Sequence, residues 1–179
     1  IQNTVFKIYD SQEQIILTTI VNALILLPFI MVFTPAGFIS DKFPKNRVMV
    51  YAALLAVVLT LAITFSYYMG WFEVAFGFTF LLAMQSAFYS PAKYGYIKEL
   101  VSNRFISAGN AAVQAATTVA ILSGIVVYTL FFESMLGSFE TADDIVREIA
   151  PLGWMLVAGS VVELLLMLTL PNRQRVPSE

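Results

Sequence analysis

The chain has 179 residues, of which 59% are hydrophobic and only 12% charged, and its mean hydropathy is +0.79. An ordinary soluble domain has about 25% charged residues, so this composition excludes a water-soluble globular protein and indicates an integral membrane protein. The sequence has no cysteine and no histidine, which excludes disulfides, a cysteine nucleophile and the commonest general base and metal ligand. We therefore expect no metal and no cofactor. The sequence also has no Walker motif and no patch typical of nucleic-acid binding, so we expect no nucleic-acid partner.

Long apolar segments alternate with short charged ones along the chain. A helix that spans a bilayer needs about 20 mostly apolar residues, and the gaps between charges predict five such spans. These spans are 15–39, 48–68, 72–92, 108–132 and 151–170. None alternates polar and apolar residues as a barrel strand does, and lipid cannot satisfy free backbone groups, so each span is predicted to be helical. The fold class is therefore all-α, a polytopic membrane helix bundle.

The two ends and the loops predict how the chain crosses the membrane. Residues 1–9 are too short to span and are interpreted as the outer end of a first helix begun upstream, which makes residues 1–179 a fragment with one transmembrane domain. Eight of the ten basic residues lie in three segments on one side: Lys42, Lys45, Arg47, Lys93, Lys98, Arg104, Arg173 and Arg175. Because cytoplasmic loops carry excess lysine and arginine, these segments and the C-terminal end are predicted to be cytoplasmic.

The loop after the first complete span has a recognisable pattern. It contains Gly37, Asp41, Lys42 and Arg47 in the run GFISDKFPKNR. This run resembles the signature loop of the major facilitator superfamily of secondary transporters, in which the acidic residue helps to latch the two halves of the protein. Pro44 departs from that signature, which has a second glycine there. The alternative is an ordinary loop that is basic because it lies on the cytoplasmic side.

A second run, YSPAKYG at residues 89–95, is more specific. Together with AGNA at 108–111 and KNRVM at 45–49, it resembles the bacterial lysophospholipid transporter family over about Ala23 to Arg173. The resemblance implies the N-terminal half of a major facilitator superfamily transporter, with a further acidic residue in the helix ahead of this chain. In some bacteria, a module of this kind is fused to a lysophospholipid acyltransferase and an acyl-carrier-protein synthetase.

The resemblance also implies a function. We expect a secondary transporter that moves lysophospholipid across the bacterial inner membrane by alternating access. Its partners would be the phospholipid membrane, the lysophospholipid and the missing C-terminal transporter half. The alternatives are a superfamily transporter for another small molecule, or the membrane module of a bifunctional lysophospholipid acyltransferase. Without histidine the chain cannot supply the His-x4-Asp pair of such an acyltransferase, so the segment itself is not expected to be an enzyme.

Two charged residues inside the spans are candidate site residues. Lys93, followed by Tyr94, comes just after Pro91, and its ammonium is expected either to contact a phosphate headgroup or to form a gating ion pair. The alternative for Lys93 is a lysine that only snorkels to the interface. Glu163 lies about 18 Å and 10 Å from the two ends of the last span, at the helical rise per residue. It is interpreted as a coupling group or a partner for a base in the missing half, or else as a protonated residue with no role.

Several other features have a structural alternative beside a functional one. Asn22, Gln85 and Gln114 are the deepest polar residues of the other spans, and they are expected either to line a substrate path or to hydrogen-bond between helices. Small residues recur every four positions at 75–87 and 108–124, which favours close helix packing. Residues 141–149 are predicted to form a short surface helix on the outer side, with Ile145, Val146 and Ile149 as its apolar face.

Overall fold

In the computed structural model, residues 5–6, 10–101, 103–135 and 142–171 are described, except for the side chains of 24, 25, 103, 142 and 143. The described residues form helices joined by short turns, with no strand. The helices are α1 (Ser11–Lys42), α2 (Lys45–Tyr68), α3 (Phe72–Leu100), α4 (Ile106–Met135), α5 (Ala142–Glu148) and α6 (Gly153–Leu168), with 3-10 turns at Asn103–Phe105 and Ala150–Leu152.

Five helical segments are long and apolar enough to cross a membrane: α1, α2, α3, α4, and α6 with the 3-10 turn before it. The all-α fold class with five candidate spans is thus confirmed for the described part of the chain. Four of the predicted spans lie inside these helices, and the fifth helix ends two residues before the predicted residue 170. The first-helix remnant predicted at residues 1–9 lies outside the described residues, apart from Val5 and Phe6, which are helical.

The break between α1 and α2 follows from one proline. A residue before proline is pushed out of the helical region, and Phe43 indeed has φ −110° and ψ 156°. Pro44 then stands immediately before the first residue of α2, where its missing N–H is tolerated. At the other end of α2, Gly70 has φ +76°, a conformation that glycine adopts without strain, and the chain turns there into α3.

The described helices pack around α2 and α3. Helix α2 lies against both α3 and α6, and α1 lies against α3, whereas α1 and α2 contact each other little. Close approach of α2 and α6 depends on small residues: a Cβ at Gly153 would lie 2.5 Å from Oγ1 of Thr64. Near this contact, the hydroxyls of Thr60 and Ser160 are hydrogen-bonded at 2.9 Å. This packing by small and hydroxyl residues is typical of membrane helices.

The main core lies at the end of the bundle where α2 turns into α3. Its fully buried members include Phe132, Val146 and Ile149, so the predicted apolar face of the short helix α5 covers this end. The structure thus has a short helix where one was predicted, at Ala142–Glu148. Helix α4 differs from the others, since its stripe of small residues at 108–124 is mostly exposed among the described helices.

Candidate functional site

Lys93 occupies a seat formed by two tyrosine rings. Its ammonium lies 5.9 Å from the ring centroid of Tyr89 and 5.2 Å from that of Tyr94. The first tyrosine is one helical turn before Lys93 on α3 and the second follows it directly, so a single helix builds the seat. A lysine over an aromatic face gains about 0.5–1 kcal/mol when exposed and about 2 kcal/mol when desolvated. Lys93 is half-buried and has no ion pair with a described residue, so its charge is still available to an anion.

Tyr89 connects this seat to α6. Its hydroxyl donates to Sδ of Met167 at 3.6 Å, and the Glu163 carboxylate is near enough to act on the hydroxyl electrostatically. Two predicted site residues, Lys93 and Glu163, thus both lie near Tyr89. A charged carboxylate inside a membrane span is costly, and a polar hydroxyl nearby lowers that cost. We did not select Tyr89 from the sequence; an aromatic residue four positions before an intramembrane lysine is the signal that points to it.

Tyr94 and Gln85 make contacts between helices. The Tyr94 hydroxyl donates to Oε1 of Gln114 on α4 at 2.9 Å. The amide of Gln85 is buried and donates to the backbone oxygen of Ala52 on α2 at 2.8 Å. The structural alternative, hydrogen bonding between helices, therefore describes Gln85 and Gln114. Asn22 lies on an exposed part of α1.

The run predicted as the signature loop lies mostly inside helices: Gly37, Asp41 and Lys42 belong to α1 and Arg47 to α2. The prediction of a loop is therefore wrong except at Phe43 and Pro44, because only the proline interrupts the helical backbone there. In the described part of the chain, no atom lies within 4 Å of a Cβ placed at Gly37. Asp41 and Arg47 are exposed. The ammonium of Lys42 lies 5.5 Å from the ring centroid of Phe38, one turn earlier on α1. Asp41, Lys42 and Arg47 thus present their charges outward.

An ion pair that the sequence did not reveal ties this loop to the end of α3. Nζ of Lys45 lies 2.9 Å from Oε1 of Glu99, and the two side chains are 22% and 17% exposed. The lysine reaches Glu99 across Gly95, where a Cβ would stand 2.5 Å from Cε and 2.8 Å from Cδ of Lys45. Gly95 and Glu99 are one turn apart, so they share a face of α3. This geometry gives a physical reason for the glycine that ends the YSPAKYG run.

No group of three or more residues able to hold a metal occurs among the residues that the structure describes. Two charged groups are available to bind a ligand of opposite charge. One is the Lys93 ammonium, which has no ionic partner among the described residues, and the other is the Glu163 carboxylate near Tyr89. No side chain here is arranged as a nucleophile beside a general base. The geometry therefore suits recognition of an anionic group by positioned charges.

Residues 6–131, more than half of the chain, match the model of a family described as transmembrane secretion effector, within the major facilitator superfamily. The chain belongs to this family. As a member with five candidate spans, it is a multi-pass membrane protein. No solved structure matches the chain.

Curated relatives of this chain include proteins named lysophospholipid transporter LplT. The protein from Photorhabdus laumondii is 33% identical over 110 residues, which cover 60% of this chain and 26% of that protein. Those from Enterobacter sp. strain 638 and Serratia proteamaculans are each 34% identical, over 116 and 114 residues, and each match covers 64% of this chain and 26% of the relative. The chain thus spans about a quarter of the length of the curated relatives it matches. The resemblance drawn from the YSPAKYG and signature-loop motifs is confirmed.

Proposed function

We propose that this chain is part of a secondary transporter that moves lysophospholipid across the bacterial inner membrane. The observation that carries the proposal is the Lys93 ammonium, held between Tyr89 and Tyr94 with no ionic partner among the described residues. The names of the relatives support the same substrate class. Transport rather than catalysis is also in keeping with the absence of histidine and cysteine from the sequence.

The headgroup of the lysophospholipid supplies the anion that Lys93 lacks. Its phosphate accepts charge-assisted hydrogen bonds from the ammonium, which are about twice as strong as those between neutral groups. The two rings fix the lysine side chain before the lipid arrives, so less rotamer freedom is lost on binding. The hydroxyl of Tyr94, already bonded to Gln114, holds α3 and α4 together beside the headgroup. Lys93 is therefore the headgroup contact, and Tyr89 and Tyr94 are positioning residues.

Glu163 serves the transport cycle from the other side of Tyr89. Its carboxylate lies within the same polar group as Lys93 but does not pair with it directly. We assign it as a partner for a basic group of the second half, which would meet α6 and α3 when that half closes over the site. Gln85 contributes to the helix framework around the path, through its hydrogen bond to α2, rather than to headgroup binding.

Alternating access needs a second half against which this bundle rocks. The exposed stripe of small residues on α4 supports that interpretation, because such stripes favour close contact with another helix and no described helix covers it. Asp41, exposed at the end of α1, is the acidic residue of the signature loop that would latch the second half. In this arrangement the signature loop and the C-terminal end are cytoplasmic, as the excess of lysine and arginine on that side favours.

The test is uptake by spheroplasts that express the complete open reading frame in a host without its own lysophospholipid uptake. Labelled lysophosphatidylethanolamine is compared with a labelled sugar and a cationic dye. The proposal predicts accumulation of the lysophospholipid alone. Uptake of the sugar or dye without the lysophospholipid would favour a superfamily transporter for another small molecule. A well-expressed protein that moves none of the three would overturn the proposal.

A further inference from the structure

A groove opens between α1 and α2, away from the Lys93 seat. The two helices both pack on α3 but touch each other little, so a cavity of about 600 Å³ remains between them with α3 as its floor. This volume is in the range of pockets that hold small organic ligands. The walls are mainly apolar and include Ile39, Phe43, Val48, Tyr51, Leu55 and Phe88.

The groove is open to the outside of the described bundle at membrane depth. Tyr51 is 69% exposed and Leu55 is 47% exposed, and both belong to the spanning helix α2. On the helical wheel, Phe88 on the groove floor and Lys93 point roughly 140° apart around α3. The groove therefore faces a different direction from the proposed headgroup seat and is a separate feature.

One end of the groove is positively charged. Arg47 lines it, is exposed, and makes no hydrogen bond or ion pair with any described residue. The ammonium of Lys42 lies 5.8 Å from the ring of Phe43, another residue of the wall. Helix α2 begins here with no acidic residue in its first turn and no side-chain cap, so its dipole adds positive potential. A neighbouring polar pocket shares Phe43 and Pro44 with the groove. It is lined by the acidic residues Asp41 and Glu99, together with the basic residues Lys42, Lys45 and Lys98, so the acidic side chains there are outnumbered by basic ones.

We propose that this groove binds a membrane phospholipid with a net anionic headgroup, one acyl chain lying along the apolar walls and the phosphate on Arg47. The apolar walls of the groove suit the acyl chain of such a lipid, and the Arg47 guanidinium at the end of the groove suits its phosphate. A guanidinium binds phosphate through paired, directional hydrogen bonds, and basic residues at a membrane surface favour anionic lipids over zwitterionic ones. The inference does not rest on the proposed transport function, because it concerns a lipid of the surrounding leaflet on the α1–α2 loop side.

The experiment is native mass spectrometry of the full-length protein, purified in mild detergent and incubated with an equal mixture of dioleoylphosphatidylglycerol and dioleoylphosphatidylethanolamine. The wild type is expected to retain phosphatidylglycerol in preference to phosphatidylethanolamine. Arg47→Gln should lower the retained phosphatidylglycerol by roughly tenfold, the scale of one charge-assisted interaction. Arg104→Gln is the matched control, since Arg104 is another exposed arginine at a helix start but lies away from the groove.

A second pair of variants tests the apolar part. Leu55→Trp fills the groove and should also abolish preferential retention, whereas Leu54→Trp, at a neighbouring residue that is 49% exposed and does not line the groove, should not. Equal retention of the two lipids by the wild type, or equal losses in both arginine variants, would overturn the headgroup assignment. Full retention by Leu55→Trp would overturn the groove as the binding site. A wild type that retains no lipid would also overturn the proposal and indicate that another part of the protein covers the groove.

Discussion

Substitution of Gly95 by alanine tests how much the Lys45–Glu99 ion pair contributes to stability at the end of α3. Alanine at this position would place a Cβ 2.5 Å from Cε of Lys45, so the lysine must leave its path to Glu99. Two opposite effects then act on stability. Alanine in a helix interior is favoured over glycine by about 0.5–1 kcal/mol. Loss of the ion pair, whose partners are 22% and 17% exposed, costs about 1 kcal/mol at this degree of screening.

These magnitudes predict that the effect of Gly95→Ala on stability depends on whether residue 99 is glutamate or glutamine. In the wild type, Gly95→Ala should be close to neutral or destabilising, because the helix gain is offset by the lost ion pair. In a Glu99→Gln background, Lys45 no longer has a carboxylate to reach, so Gly95→Ala should stabilise by about 0.5–1 kcal/mol. The coupling between the two substitutions is therefore about 1 kcal/mol, which lies within the range measured for residues that share one interaction.

The assay is unfolding of the full-length protein in mixed detergent micelles as the SDS fraction rises. It is applied to Gly95→Ala, to Glu99→Gln and to the variant that carries both substitutions. Gly77→Ala is the control, because Gly77 is also on α3 and nothing lies within 4 Å of its Cβ position. That control should stabilise both backgrounds equally. The reasoning would be refuted if Gly95→Ala stabilised the wild type as much as Gly77→Ala does, or if its effect were the same with and without Glu99.

Two further substitutions test packing and the aromatic seat. Gly153→Ala puts a Cβ 2.5–2.9 Å from three side-chain atoms of Thr64 and should destabilise the protein by about 1–3 kcal/mol in the same unfolding assay. Gly159→Ala, on the same helix, places its Cβ where no atom lies within 4 Å and should not destabilise the protein. Equal effects of the two substitutions would contradict the close approach of α2 and α6. Tyr89→Leu removes the ring beside Lys93 and should lower lysophosphatidylethanolamine uptake several-fold, while Tyr89→Phe keeps the ring and should lower it less. Equal uptake by the two Tyr89 variants would show that the ring does not position the lysine.

The helices could be predicted from sequence because their signals are local. A charge-free apolar run of about 20 residues has few alternatives to a spanning helix, and Pro44 marks the break between α1 and α2 through backbone sterics alone. The spacing of Ile145, Val146 and Ile149 likewise predicts the apolar face of the short helix α5, and the structure buries all three residues.

The contacts of the candidate site could not be predicted in the same way. Lys93 can be selected from the sequence because a charge in a span is rare. Its aromatic neighbour Tyr89 also lies near the Glu163 carboxylate of a distant helix, and the sequence does not show that proximity. Lys45 and Glu99 are 54 residues apart and meet because α2 packs on α3. Pairings of this kind follow from helix packing, which hydropathy does not specify.

The most direct test of the account is the rate of lysophosphatidylethanolamine uptake by the complete protein carrying substitutions at Lys93, at matched membrane levels. Lys93→Ala should lose about tenfold or more, since it removes the charge that faces the phosphate. Lys93→Arg should retain part of the activity, and Lys98→Ala, an exposed lysine later on α3, should remain close to wild type. Lysophospholipid-specific uptake by Lys93→Ala at the wild-type rate would contradict the headgroup role and leave Lys93 as an interfacial lysine.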